Sequence, residues 1–145
     1  EEWLRFAQAQ YLKKINHFCD FKIEKIKPFK EAREEINEKK QREAERVLKK
    51  ISPKDYVILC DEKGAEFNSL RFSKNLQKIQ EHYSNRRVVF VIGGAYGVDD
   101  TIKTRAQETI CLSKMTMNHF VAQIFLLEQI YRGFMILKGL PYHNE

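Results

Sequence analysis

Val88-Val89-Phe90-Val91-Ile92-Gly93-Gly94-Ala95-Tyr96-Gly97 is the stretch that decides the fold. Five β-branched or aromatic residues in a row read as a buried interior strand. The paired glycines that follow read as a turn where main chain must approach something closely. In open α/β sheets that place, the carboxyl end of a strand, is where ligands bind. The turn is not a dinucleotide fingerprint, because its spacing does not lead into a phosphate-cradling helix, and no P-loop lysine with Ser or Thr follows it.

Working outward, Tyr56-Val57-Ile58-Leu59-Cys60 is a second buried strand, ended by the turn tetrapeptide Asp61-Glu62-Lys63-Gly64. Between the two strands Ser69 is placed to cap a helix with Phe72, Leu76, Ile79 and Tyr83 on one face, ended by Ser84-Asn85. After the glycine turn, Asp99 is placed to cap a short helix through Thr104, and Thr109-Ile110-Cys111-Leu112 is a last short strand.

Towards the start, Leu4, Ala7, Tyr11, Leu12, Ile15 and Phe18 fall at helical spacing, with Arg5, Gln8, Lys13 and Lys14 between them, which predicts an amphipathic helix from Trp3 to Phe18. Phe21, Ile23 and Ile26 partly alternate with charged residues up to Pro28, the pattern of a short, half-exposed strand. Lys30 to Lys50 is a charge run, read as a solvated helix with the buried stripe Ala44, Val47, Leu48 and Ile51. Glu38 with Arg42, and Glu45 with Lys49, have the i,i+4 spacing that supports a helix. Its interleaved glutamates weaken a reading as an RNA-facing basic surface. The alternation of helices and strands predicts an α/β fold with a parallel or mixed sheet and helices on both faces.

The 145 residues fit a single domain that buries about 70% of its unfolded surface. A net charge of +6 favours anionic partners, nucleic acid among them. Cys19, Cys60 and Cys111 are odd in number and form no C-x-x-C, so no disulfide framework or zinc site is indicated. No metal is expected. The first residues carry no secretory signal, and the expected compartment is the cytoplasm.

Phe120 to Leu137 is the most apolar segment, with too many apolar residues for one stripe, so the helix is expected to bury more than one face. Gln123, Glu128, Gln129 and Arg132 interrupt it too often for a membrane span. One face against the protein's own sheet and the other against a twofold-related copy predicts a homodimer. The alternative is a helix buried wholly within its own chain.

The glycine turn, the run Leu112-Ser113-Lys114-Met115-Thr116-Met117-Asn118-His119 and the closing Pro141-Tyr142-His143 together resemble one family closely: the small RlmH-type SPOUT (α/β-knot) methyltransferases. The resemblance covers nearly the whole chain. It implies a mainly parallel sheet flanked by helices, with a carboxy-terminal trefoil knot. The implied activity is S-adenosylmethionine-dependent N3-methylation of a pseudouridine in the helix-69 loop of 23S ribosomal RNA, on the assembled ribosome.

The family's usual first strand is not found, so the chain reads as a single SPOUT domain, 1–145, lacking that segment. On this resemblance Cys60, Gly93, Gly94 and Leu112, Ser113, Lys114, Met115, Thr116 and Met117 form the cofactor pocket. Arg132, Tyr142 and His143 form the catalytic, RNA-facing group, with the tail completing the site across the dimer interface. From the residues alone, Cys60 is also an ordinary small core residue, Arg132 a partner of a local acid, and His143 part of a solvated tail. His119 reads as a helix-start residue. Asn144 stands where the family usually has a basic residue, and Asn118 where it commonly has proline. A non-catalytic RNA- or ribosome-binding protein on the same fold is the alternative function.

Overall fold

The computed structural model describes residues 1–27, 35–94 and 97–144. Its helices are α1 (Glu2–Ile15), α2 (Ile36–Lys50), α3 (Ser69–His82), α4 (Asp100–Arg105) and α5 (His119–Leu137); its strands are β1 (Tyr56–Glu66), β2 (Val88–Ile92) and β3 (Glu108–Cys111). The chain divides into two compact units. A sheet unit comprises Glu24–Glu66 and Asn85–His119, and a helical unit comprises Glu1–Ile23, Phe67–Ser84 and Phe120–Glu145.

In the sheet unit three strands run parallel in the order β2-β1-β3. Tyr56 to Cys60 pair with Val88 to Ile92, and on the other side Ile58, Leu59 and Cys60 pair with Glu108, Thr109 and Ile110. The two-residue period puts Val57, Leu59 and Val91 into one core with Ala44 of α2 and Ile102 of α4, while Tyr56 and Ile58 of the opposite face are buried too. Burial on both faces is why these strands read as continuous apolar runs. Each large side chain so buried is worth about 1.5–3 kcal/mol over leaving it in water.

The amino ends of the strands are tied by one carboxylate. Asp55 is buried, and its Oδ2 accepts from Arg87 Nη2 at 2.6 Å and from the Ser52 N–H at 2.8 Å. Burial alone would push the Asp55 carboxyl up, but the Arg87 and Ser52 bonds, with the charges of Arg87 and Arg105, hold it below its ordinary value. Arg87 also donates to the Lys50 carbonyl at 2.8 Å, and Arg105 to those of Ser52 and Asp55 at 2.9 and 3.0 Å. The end of α2 is thereby fixed beside the start of β1.

Three features depart from expectation. The tetrapeptide 61–64 does not end β1: pairing with β3 stops at Cys60, skips four residues and resumes at Ala65 and Glu66. Gly64 permits this, because a Cβ there would stand 2.6 Å from the Ile110 backbone. The run Phe21 to Ile26 alternates in burial but forms no strand, since among the described residues no strand pairs with it. Basic side chains of α2 hold its end instead: Arg46 donates to the Lys27 carbonyl at 2.6 Å, and Lys50 pairs with Glu24 at 3.3 Å. The short last strand spans Glu108–Cys111 rather than 109–112. Pro28, residues 30–34 of the charge run, and Ala95-Tyr96 of the glycine turn lie outside the described residues.

The helical unit packs α1, α3 and α5. The first helix stops at Ile15 rather than Phe18 because the Asn16 amide bonds the Leu12 and Phe21 carbonyls and its Oδ1 accepts the Phe21 N–H. Gln8, expected on the solvent side, is buried and donates to Gln123 Oε1 at 2.7 Å. The cap of α3 is Asn68, whose side chain accepts from the Arg71 N–H; Ser69 is the first helical residue, and its hydroxyl donates to Gln129.

On α5, Leu126, Leu127, Ile130, Gly133 and Phe134 form the buried stripe, so the chain itself buries one face. By length and apolar content alone α5 could cross a membrane, but its stripe is core packing. Gly133 lets it approach α3, since a Cβ there would stand 2.9 Å from Leu76 Cδ1. Phe18 stacks on Phe134 with ring centroids 5.3 Å apart.

Candidate functional site

Parallel register sets the first group of candidate residues. Cys60 pairs with both Ile92 and Ile110, so the chain that follows β2 and β3, Gly93-Gly94 and Leu112 to Met117, emerges at the same edge as Cys60. Gly93 sits in a turn folded on itself, where a Cβ would run into Val98 Cγ2. Gly97, with φ of 88°, donates its N–H to the Gly94 carbonyl at 3.1 Å. Gly94 is exposed, and among the described residues a Cβ on it would find only Glu43 Oε2 near, at 3.4 Å.

Burial pushes the Cys60 thiol up to about 12, so it stays protonated at neutral pH. Beyond β3 the chain turns under two local bonds: Cys111 Sγ donates to the Ser113 carbonyl, and the Met115 N–H donates to Ser113 Oγ at 3.0 Å. Lys114 reaches Glu66 at 3.5 Å. Leu112 and Met117 are half-buried, Thr116 is exposed and Met115 is 80% exposed, so an apolar surface stands open at this edge. Room above Gly94, a protonated thiol and half-buried apolar side chains fit a purine-bearing cofactor.

The second group is built on α5. Arg132 and Glu128 stand one turn apart; Arg132 Nη2 and Nε donate to Glu128 Oε1 at 2.6 and 2.8 Å. Only 24% and 21% of their side chains are exposed, against 55% and 54% for the surface pair Lys50 and Glu24, so this pair is shielded from solvent. The helix then ends in a Schellman motif, with Leu140 N–H on Met135 O and Gly139 N–H on Ile136 O, Gly139 taking a φ of 66°. The chain doubles back on α5. Tyr142 donates to Glu128 Oε1 at 3.2 Å, with the Arg132 guanidinium 4.6 Å from its ring centre and Tyr131 edge-on at 5.0 Å.

Arg132 Nη1 lies 3.0 Å from His143 Nδ1. A guanidinium can only donate, so Nδ1 accepts and His143 carries its ring proton on Nε2. The bond from Arg132 to Glu128 raises the guanidinium above its ordinary value. Burial and then the Glu128 carboxylate raise the Tyr142 phenol, keeping it a donor.

Arg132, Tyr142 and His143 are thus brought together, and Arg132 pairs a local acid, Glu128, as one of its two sequence readings expected, while also holding the tail. Glu128, the acceptor that organises the group, was missed, although its position four residues before Arg132 signalled it. Gly139, just past the apolar run and before Pro141, signalled the reversal. His119 begins α5 as expected. Among the described residues no group of three or more His, Cys, Asp or Glu is placed to hold a metal ion.

Three parallel strands with helices packed on them define an α/β protein, an architecture that gathers ligands at the carboxyl ends of its strands. Residues 1–143 match the family described as Predicted SPOUT methyltransferase. The chain belongs to this family and is a methyltransferase. It is 44% identical over 144 residues, 99% of its length and 92% of the relative's, to the ribosomal RNA large subunit methyltransferase H of Bdellovibrio bacteriovorus. Proteins of the same name are 40% identical in Parabacteroides distasonis, over 97% of this chain and 90% of the relative, and 35% identical in Pseudothermotoga lettingae, over 99% and 92%.

Proposed function

We propose that the protein methylates large-subunit ribosomal RNA, with S-adenosylmethionine as donor and N3 of a pseudouridine in the helix-69 loop of 23S rRNA as acceptor, on the assembled ribosome in the cytoplasm. The observation that carries this reading is the doubled-back tail, Tyr142 and His143 held on Arg132 and Glu128, in a chain similar over nearly its whole length to proteins named ribosomal RNA methyltransferases. A single SPOUT domain with the family's trefoil knot belongs to the same proposal, supported by the family match over residues 1–143.

Cys60, Gly93, Gly94, Leu112, Ser113, Lys114, Met115, Thr116 and Met117 would hold the cofactor, the glycines by admitting it to main chain and Leu112, Met115 and Met117 by enclosing the purine. When bound, S-adenosylmethionine supplies a methyl group on a sulfonium, open to in-line attack. The rest of the work is orientation and proton handling by the chain. Tyr142 offers a face on which a single base stacks. His143, with Nδ1 held on Arg132 and Nε2 buried, fixes the tail beside Tyr142 and so positions the base. Arg132 holds the tail and adds positive charge that favours the deprotonated form of the attacking nitrogen, its proton passing to solvent.

A homodimer is part of the reading. Its support is the apolar surface of the helical unit: Trp3, Phe6 and Val121 are 49%, 69% and 46% exposed, beside a groove of about 340 Å³ lined by Trp3, Tyr11, Val121, Ile124 and Phe125. The test is calorimetric titration with S-adenosylhomocysteine together with methyl transfer to unmethylated ribosomes. Micromolar binding and transfer dependent on the ribosome are expected. A folded dimer with no affinity for the cofactor product would overturn the reading in favour of a non-catalytic RNA-binding protein, whose binding would instead fall steeply with salt.

A further inference from the structure

One face of α2 overlooks the glycine turn. Its carboxyl end is fixed at the amino ends of the strands, by Arg87 on the Lys50 carbonyl and by the short link from Ile51 to Tyr56. With Ala44, Val47 and Leu48 packed on the sheet core, the helix runs back towards the carboxyl ends of the strands. Glu43, seven residues before Lys50, lies about 10 Å along that path.

Two polar side chains on this path meet the turn. Glu43 Oε2 is 3.4 Å from where a Cβ would stand on Gly94, and Lys40 Nζ is 3.9 Å from the same position on Gly97. Gly94 and Gly97 are themselves joined by a backbone bond. Both side chains are half-buried although each sits on a strongly charged helix that offers solvent on its other side. Three residues apart on one helical face, they set a negative and a positive group side by side over exposed glycine main chain. Lys40 also acts on Asp99: the Thr101 hydroxyl and then its N–H hold the Asp99 carboxyl low, and the Lys40 charge adds to them.

We propose that Lys40 and Glu43 recognise the amino-acid end of the cofactor, Lys40 facing its carboxylate and Glu43 its ammonium group. The inference rests on the cofactor assignment above and deepens it. An α-amino acid presents adjacent opposite charges, and a Lys and a Glu one turn apart complement that pattern where either alone would not. Glycine at 94 and 97 leaves the space that any larger side chain would occupy.

The test compares two probes by calorimetry on the full chain: S-adenosylhomocysteine, which has the amino-acid end, and 5′-methylthioadenosine, which lacks it and keeps the adenosine. Glu43→Gln and Lys40→Met are each expected to weaken S-adenosylhomocysteine by about tenfold and to leave methylthioadenosine within about twofold. Unchanged S-adenosylhomocysteine affinity, or equal weakening of both probes, would overturn the proposal, the second result assigning these residues to the ribose or to the turn's stability. If the native protein binds neither probe, the cofactor assignment itself fails and the inference falls with it. Circular dichroism melts confirm that both variants stay folded.

Discussion

Around Glu128 the polar side chains bind one another, whereas the chain following β2 and β3 presents glycine main chain and open side chains such as Met115. In the helical unit Arg132, Tyr142 and His143 are ordered before any ligand arrives, because each has a charged or aromatic neighbour holding it. In the sheet unit, order comes from strand register and from glycines that admit close backbone contact. The first arrangement is vulnerable to loss of one side chain, the second to added atoms.

The sharpest way to test that contrast is Glu128→Ala. It frees Arg132 and Tyr142 together, so turnover should fall by about a hundredfold or more while affinity for S-adenosylhomocysteine stays within about twofold. An equal loss of both in a folded variant would end the division of labour, and partial recovery by Glu128→Gln would support positioning rather than proton transfer.

In the sheet unit the matching lesion is Gly64→Ala, which drives a methyl group into the Ile110 backbone. It should cost about 2–3 kcal/mol in urea unfolding and weaken cofactor binding by disturbing the end of β3. A variant as stable as the parent would mean that the irregular segment 61–64 can shift freely.

Asp55→Asn should cost about 2 kcal/mol at neutral pH. Because the folded carboxyl lies below its ordinary value, its contribution is complete above the unfolded carboxylate value, about 3.9, and is lost as pH falls through the depressed folded value. The gap between parent and variant should therefore close in acid; one that persists to about pH 2 would show that geometry rather than charge holds the strand ends. Smallest is Gly139→Ala, about 1 kcal/mol for a left-handed residue, with turnover reduced more than stability because the tail is displaced.

What could be read from the chain follows the same contrast. The runs 56–60 and 88–92 announced themselves because burial on both faces demands unbroken apolar sequence, and Asp99 announced α4 by its cap. The run Phe21 to Ile26 misled because alternation reports burial, while a strand also needs a neighbour for its backbone bonds. Asn68 and Asn16 were missed because cap bonds depend on one rotamer, which adjacent polar residues such as Ser69 offer equally well. Gln8 was misplaced because its partner, Gln123, is far away in sequence. At the site, the gathering of Arg132, Tyr142 and His143 was expected from a family resemblance, whereas their dependence on Glu128 and Gly139 follows from local helix rules.

The reversal at Gly139 also makes the tail a matter of phase. Seven residues, about two helical turns, separate Arg132 from Gly139, so the chain turns back along nearly the same side of α5 that presents the guanidinium. Removing or adding one residue between them would swing the exit by about 100° and aim Tyr142 and His143 away from Glu128, whatever the residue's chemistry. The aim of the tail is therefore set by the length of this stretch rather than by the identity of its outward side chains.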